Sequence, residues 1–301
     1  MIPEKGLYIQ MFSIHGLVRA ENMELGYDAD TGGQVKYVVE LCRTLSANDQ
    51  IRKIDLFTRL INDKSYSDDY GQPIEQVNEK FRIVRIQCGG KKFIRKELLW
   101  PHLDEFVDKT IIFIRQEKDI PDIVHGHYPD AGHVAMELGS FFGVPLVYTG
   151  HSLGRSKKAR LLEDGHDLIE MNRKLKINHR IDTEEHILKS ADRVITSTQQ
   201  EIEGQYGMYR NRTLPMYKVI PPGIGIARFY PYYHDTFSSS TEEEEALYAK
   251  ASVVQELNRF FTHPDRPLIL VLCRPDKRKN IQGLVKAYGE DAELQAMANL
   301  A

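Results

Sequence analysis

The stretch Asp30-Thr31-Gly32-Gly33-Gln34 and the segment that follows it decide the fold prediction for this chain. The two glycines allow a tight turn and expose backbone N–H groups. Apolar residues then recur at helical spacing: Val35, Val38, Val39, Cys42 and Leu45. The pattern predicts a loop that opens a helix, whose N-terminus attracts anions because free N–H groups and the macrodipole point the same way. A plain glycine turn is the alternative that this stretch alone leaves open.

Composition excludes several classes of protein. The 301 residues are enough for about two domains, and 42% hydrophobic with 28% charged residues is typical of a soluble globular protein. The net charge of −3 provides no basic field for nucleic acid. The three cysteines, Cys42, Cys88 and Cys273, are far apart and predict a reducing compartment. With no apolar run near the ~20 residues that span a bilayer and no leader pattern, we predict a cytoplasmic protein that binds neither nucleic acid nor membrane.

Strand and helix patterns alternate through the first two thirds of the chain. Apolar or alternating runs predict strands at residues 7–14, 54–58, 81–86, 122–125, 145–149 and 193–197. Helices are predicted at residues 98–117, 132–142 and 184–190. In the first of these helices, the candidate core positions are Phe106, Ile111, Ile112 and Ile114. The alternation predicts an α/β fold with a doubly wound parallel sheet.

The last quarter of the sequence begins a second unit. The first, Rossmann-like domain is predicted over residues 1–225. A capping box at Thr241 and Glu244 then starts a helix, and residues 268–272 form one apolar strand. Because a doubly wound domain needs several strands, we predict that residues 226–301 are a linker and the incomplete start of a second Rossmann-like domain.

Ligands of doubly wound sheets bind beyond the carboxyl ends of the strands. The predicted loops at that edge are rich in glycine, histidine and cations: residues 32–34, 89–92, 125–128, 151–157 and 199–201. The cations form two groups, with Lys96, Lys157 and Arg180 near the first-domain loops and Arg274 and Lys279 after the second-domain strand. Fixed cations beside a helix N-terminus hold phosphate, so two groups predict two phosphorylated ligands on either side of a cleft. A solvated surface position is the alternative for each single cation.

Three histidines follow predicted strands. His151 could hydrogen-bond a sugar hydroxyl or stabilise developing positive charge, with a packing role as the alternative. His125 and His127 have the spacing of metal ligands, but no acidic or sulfur residue completes a site, so no metal is predicted. Residues 150–154 match the GxSxG pattern of hydrolases around Ser152. The hydrolase is the less favoured alternative, because no acid-then-histidine order follows and the cations stay unexplained.

Several segments together resemble the sucrose-phosphate synthase family over nearly the whole chain. They are residues 15–26, 30–34, 149–155, 195–202 and 274–280, in the same order as in that family. The resemblance implies a two-domain GT-B glycosyltransferase fold. It also implies transfer of glucose from UDP-glucose to fructose 6-phosphate with retention at the anomeric carbon, without a cofactor or an essential metal.

The resemblance also implies roles for individual residues. The implied acceptor site consists of Gly32, Gly33, Gln34, Lys96, Lys157 and Arg180, with the three cations on the 6-phosphate. The implied donor and catalytic set is Gly33, His151, Arg274 and Lys279, with the two cations on the diphosphate. Fixed cations would stabilise the leaving UDP by preorganised electrostatics, and no protein nucleophile is then required.

Two alternatives stay open at the level of sequence. Sucrose synthase acts on free fructose, which would not need the pair Lys157 and Arg180. A non-catalytic sugar-phosphate-binding protein is the alternative of another class. On the favoured interpretation the chain is the N-terminal part of a longer enzyme. Alone it is expected to bind fructose 6-phosphate weakly and to be inactive, with a fused or separate sucrose-phosphate phosphatase as a candidate partner.

Overall fold

The computed structural model describes residues 5–27, 30–223, 241–273 and 279–301. The chain divides into two compact units, Met1–Pro222 and Gly223–Ala301. The elements of the first unit are β1 (Leu7–Phe12), α1 (Gly33–Ser46), β2 (Ile51–Arg59), β3 (Ile74–Gln76), β4 (Phe81–Ile86), α2 (Leu103–Glu117), β5 (Ile123–His127), α3 (Pro129–Phe142), β6 (Leu146–Thr149), α4 (Gly154–Glu163), α5 (Leu168–Leu175), α6 (Ile177–Ser190), β7 (Arg193–Thr196) and β8 (Met216–Val219).

The sheet of the first unit runs in the order β3-β4-β2-β1-β5-β6-β7-β8. Neighbouring strands are parallel, except that β3 is antiparallel to β4. The winding direction reverses between β1 and β5, which are hydrogen-bonded neighbours with Phe12 opposite Gly126. This reversal confirms the predicted doubly wound sheet and places the expected ligand crevice beyond the ends of β1 and β5.

Alternate residues of the central strands feed two hydrophobic clusters, one on each face of the sheet. On β1, Met11 belongs to the cluster that α1 covers, whereas Phe12 belongs to the cluster that α2 and α3 cover. The backbones of β5 and α3 approach each other very closely. A Cβ on Gly126 would lie 2.6 Å from the Cα of Gly132, so the fold requires glycine there.

Several predicted elements differ from the observed ones. The helix predicted from residue 98 begins at Leu103 instead. The residues before it form two 3₁₀ turns, and the second turn contains Pro101, which has no backbone N–H for an α-helical hydrogen bond. Ile112 was wrong as a core position, since it is 55% exposed on the outer side of α2. Phe106 and Ile114 are buried as predicted, and Ile111 is partly buried against the same cluster.

The sequence did not predict all of the helices and strands. Residues 151–157 were predicted as a loop, but α4 begins at Gly154 and places Lys157 in its first turn. The helix expected from residue 184 begins at Ile177. The edge strands β3 and β8 and the short helix α5 were not predicted, because elements of only three to eight residues are too short to establish a periodic pattern.

The second unit contains α7 (Thr241–Asn258), β9 (Leu268–Ile269), α8 (Ile281–Glu290), α9 (Ala292–Met297) and β10 (Asn299–Leu300). Strands β9 and β10 pair in parallel. The predicted strand 268–272 is therefore shorter than expected, and Leu272 is 91% exposed. The side chains of the predicted capping box lie outside the described residues. Across the described ranges, no helix combines the length and the apolar character that crossing a bilayer demands.

Two isoleucines on α2 allow a matched test of the helix orientation. Ile114→Ala should lower the free energy of unfolding by about 2–5 kcal/mol, because it opens a cavity in the core. Ile112→Ala makes the same replacement at an exposed position and should change the free energy of unfolding by less than about 0.5 kcal/mol. Urea denaturation followed by circular dichroism measures both variants. Equal losses would contradict the observed orientation of the helix.

Candidate active site

The N-terminus of α1 is open toward solvent. Gly32 precedes the helix without a side-chain cap, no acidic residue occupies the first turn, and Gly33 is exposed. A Cβ on either glycine would meet no atom within 4 Å, and Gly32 has an extended φ of −150°. The described part of the fold therefore does not require glycine here. Gln34 donates a hydrogen bond from Nε2 to the carbonyl oxygen of His127 at 3.4 Å, which joins this turn to the end of β5.

All three cations predicted for the acceptor phosphate line one cleft, which we call the basic cleft. Its lining residues are Lys96, Glu97, Trp100, Tyr128, Asp130, Lys157, Leu175 and Arg180. The cations come from a 3₁₀ turn after β4, from α4 and from α6. The doubly wound sheet thus brings together side chains that lie up to 84 positions apart in the sequence.

Lys96 is held in place by a carboxylate. Its ammonium group pairs with Asp30 Oδ1, and its backbone N–H donates to Asp30 Oδ2 at 3.0 Å. Burial alone would raise the pKa of Asp30, but the hydrogen bonds from Lys96 outweigh it and hold that pKa below its usual range. The pair orders the loop that leads into α1.

Arg180 is buried and ordered by several partners. Its Nε donates to Glu184 Oε1 at 2.9 Å, its Nη2 donates to the carbonyl oxygen of Ser152, and its guanidinium lies 4.5 Å from the centre of the Tyr128 ring. Glu184 also accepts the Gly154 N–H with both carboxylate oxygens, at 3.1 and 3.0 Å. The N-terminus of α4 is therefore already bound to a carboxylate of the protein itself.

Sequence reasoning missed another hydrogen-bonded pair at the cleft, His15 and Asp130. His15 Nδ1 lies 2.8 Å from Asp130 Oδ2, and both side chains are buried. His15 follows β1 and Asp130 lies in the first turn of α3, so the pair sits at the winding reversal of the sheet. The available signal was their place just after the carboxyl ends of neighbouring strands. Glu97, Trp100 and Tyr128 of the cleft were not predicted either.

Three histidines form a second cluster at the ends of β5 and β6. His127 Nδ1 lies 3.0 Å from His151 Nε2, and His125 Nε2 lies 2.9 Å from Thr149 Oγ1. Burial, together with the neighbouring imidazole of His151, lowers the pKa of His125 to about 3. Burial, with a smaller effect of His15, lowers the pKa of His151 to about 3 as well. Both rings are neutral at physiological pH.

His151 also borders a cavity of about 310 Å³, which we call the histidine cavity. The lining residues of this cavity are Tyr37, Thr149, His151, Ile195, Thr196, Ser197, Thr198, Glu201, Gln205, Ile220 and Pro222. His151 itself has a φ of +55°, a strained value for a residue with a side chain. In the described ranges, no three His, Cys, Asp or Glu side chains are placed to hold a metal ion.

The hydrolase alternative loses support at Ser152. The turn does join a strand to a helix, but the side-chain contact of Ser152 Oγ within the described residues comes from Arg180 Nη2 at 3.5 Å. A histidine base would be needed to activate a serine nucleophile. Of the predicted donor cations, Lys279 is exposed in the second unit and Arg274 lies outside the described residues. Their role stays a prediction.

Comparison with solved structures identifies the class of fold. A sucrose-phosphate synthase from Thermosynechococcus elongatus is 22% identical, with 98% of this chain and 70% of that chain covered and a TM-score of 0.64. The Anabaena protein Alr3699/HepE in complex with UDP and glucose is 11% identical, with 98% and 60% covered and a TM-score of 0.52. The first unit and its sheet thus have the fold of the GT-B glycosyltransferases.

The family follows from the sequence comparison. The family model described as the sucrose synthase first GT-B domain matches residues 3–236, and the chain belongs to this family. A curated relative is the probable sucrose-phosphate synthase 4 of Oryza sativa subsp. japonica, which is 40% identical over 346 aligned positions. The alignment covers 99% of this chain and 32% of that protein, so the chain spans about a third of its relative's length. The resemblance inferred from the motifs is confirmed.

The buried histidines predict a pH-dependent stability. His125 has a pKa of about 3 in the folded state and about 6.5 when unfolded, so its contribution is fully present above pH 6.5 and falls as pH drops toward 3. Between pH 7 and pH 5 the free energy of unfolding should therefore fall by about 2 kcal/mol less in His125→Gln than in the wild type. Urea denaturation at both pH values measures the difference.

The exposed His166 provides the matched control for this experiment. His166→Gln also removes one imidazole, but from an exposed position, so it shows whether the change in pH dependence requires loss of the buried ring. If His125→Gln shows the wild-type dependence, His125 is not held neutral by burial.

Proposed function

We propose that this chain is the acceptor-binding part of a retaining glucosyltransferase. The enzyme moves glucose from UDP-glucose to fructose 6-phosphate and gives sucrose 6-phosphate. The observation that carries the proposal is the convergence of Lys96, Lys157 and Arg180 on the basic cleft. Curated relatives named sucrose-phosphate synthase support it.

The charge of the basic cleft suits a sugar phosphate. Its three basic side chains can donate hydrogen bonds to a phosphate monoester, which carries about −1.5 to −2 charges at neutral pH, while Lys96 and Arg180 also pair with Asp30 and Glu184, which do not line the cleft. Arg180 is ordered by Glu184, so less side-chain entropy is lost when an anion binds. The carboxylates of Glu97 and Asp130 can accept hydrogen bonds from the hydroxyl groups of a sugar. Inorganic phosphate has no sugar hydroxyl groups, so these carboxylates favour a sugar phosphate over phosphate alone.

The space above Gly33 suits the reacting sugars. Helix α1 begins without a side-chain cap, and Gly32 and Gly33 have no Cβ. A ligand oxygen can therefore approach the backbone N–H groups at this N-terminus. In the proposed reaction the acceptor hydroxyl attacks the anomeric carbon from the face that UDP leaves, and the departing phosphate takes the proton. His151 then lies beside the transferred glucose, and Arg274 and Lys279 hold the diphosphate. A structural neighbour in complex with UDP and glucose supports a UDP-sugar donor.

Sucrose synthase is the second candidate, because the matching family model bears that name. A sucrose synthase accepts free fructose, whereas the basic cleft supplies cations that a neutral sugar does not need. The phosphate therefore decides between the two functions. A cytoplasmic location and a sucrose-phosphate phosphatase as partner are part of the same proposal.

The affinity for the phosphate group tests the proposed acceptor. Isothermal titration calorimetry should show fructose 6-phosphate binding at least tenfold more tightly than fructose, because charged hydrogen bonds contribute about 1.5–3 kcal/mol each. Lys157→Ala should weaken fructose 6-phosphate binding by about 10-fold to 100-fold. The neighbouring Lys158→Ala, which removes a contact to Asn178 instead, should change it less than about twofold. Equal binding of fructose and its phosphate would favour sucrose synthase.

A substitution at Gly33 can distinguish an effect on ligand binding from an effect on folding. Gly33→Ala should raise the free energy of unfolding by up to about 0.5–1 kcal/mol, because alanine favours a helix more than glycine does and its Cβ would meet no atom here. The same methyl group should lower fructose 6-phosphate affinity more than about tenfold by occupying the ligand's space. Gly289→Ala in α8, also with an unobstructed Cβ, is the control for the stability effect. Unchanged affinity in Gly33→Ala would remove Gly33 from the site.

A further inference from the structure

His127 and His151 share one proton. His127 is the last residue of β5 and has no exposed surface, and its Nδ1 lies 3.0 Å from His151 Nε2. A hydrogen bond between two imidazole nitrogens needs a proton on one of them and a lone pair on the other. Burial lowers the pKa of His127 well below its usual range, so both rings are neutral and carry one proton each.

The other nitrogen of His127 decides where the shared proton lies. His127 Nε2 is buried and has no hydrogen-bond partner in the described part of the chain. If His151 donated, His127 would have to carry its own proton on Nε2 as a buried N–H without an acceptor. Buried N–H groups without a partner are rare, and unpaired acceptors are better tolerated. The lower-energy arrangement therefore has His127 Nδ1–H donating to a bare His151 Nε2.

This arrangement fixes the remaining proton of His151 on Nδ1. The ring also packs against Tyr37 in a T-shaped arrangement, with 5.3 Å between the two ring centres. His151 lines the histidine cavity, whose lining residues offer hydroxyls, an amide and a carboxylate but no Lys or Arg side chain. Such a lining suits a neutral group with oxygen acceptors and contrasts with the basic cleft.

We propose that His127 is a positioning residue that fixes His151 as an Nδ1–H donor toward a neutral hexosyl group in the histidine cavity. The inference rests on the proposed function for the identity of that hexosyl group. It does not rest on it for the tautomer, which follows from the contacts of His127. His127 itself touches no substrate and acts through His151.

Nitrogen-15 NMR of the histidine side chains in the full chain tests the tautomer directly, because protonated and bare ring nitrogens have widely separated shifts. In the wild type, His151 should show a protonated Nδ1 and a bare Nε2. His127→Phe keeps a ring in the core but removes the donor, so His151 is no longer fixed in one tautomer and its two ring-nitrogen shifts should move toward the averaged values of an exchanging imidazole. His127→Asn, whose amide can donate from a place near that of Nδ1, should restore the wild-type pattern.

His125 provides the control. Its ring centre lies 4.1 Å from that of His127 and it is also buried, but it bonds to Thr149 rather than His151. His125→Phe should therefore disturb packing without changing the His151 pattern. A wild-type His151 protonated on Nε2, or a pattern that His127→Phe leaves unchanged, overturns the inference.

The proposed function fails or stands separately, in the titration with fructose 6-phosphate. If that titration shows no preference for the phosphate while His151 has the expected tautomer, the proposed acceptor is wrong and the role of His127 stands. If the preference is present and the tautomer is not as expected, only the role of His127 falls.

Discussion

The candidate site depends on the hydrogen bonds and the ion pair that the buried carboxylate of Glu184 makes. Burial raises its pKa, while Arg180, the Tyr209 hydroxyl and the Gly154 N–H stabilise its charged form. Because one carboxylate binds all three groups, it orders Arg180 at the basic cleft and fixes the start of α4 at the same time. Gly154 must stay glycine, since a Cβ there would lie 2.7 Å from Glu184 Oε2. Removing only one partner would leave an unpaired buried charge at a cost of about 3–5 kcal/mol, so a change at either residue would affect the fold and the site together.

The fold was largely readable from local sequence because central parallel strands are short apolar runs between helices. The bounds of β4 were predicted to the residue, and α1 begins at Gly33 directly after the glycine turn. The errors have local causes as well. Ile112 is as apolar as its neighbours in sequence, so composition alone could not show that it points outward, whereas helical spacing from Phe106 to Ile114 could. Edge strands such as β8 lack the two buried faces that make a strand recognisable.

The candidate site was predictable in part. The candidate cations were selected by residue type and by their positions in or near the loops at the strand ends. The family resemblance narrowed this selection further. What sequence could not supply was the pairing of those charges. His15 and Asp130 are 115 positions apart, and Asp30 and Lys96 are 66 apart, so only the finished sheet brings them into contact. Buried polar pairs of this kind leave no periodic pattern, because each partner occurs once and in a loop or a first helical turn.

The close approach of β5 and α3 has a mechanical consequence. With Gly126 against Gly132 there is no side chain between the two backbones that could rearrange and absorb a displacement. His127, at the end of this strand, contacts His151 of the histidine cavity, and Asp130, at the beginning of this helix, lines the basic cleft. We therefore expect a displacement of β5 to move α3 with it, so that the surroundings of His151 and of the basic cleft are mechanically coupled.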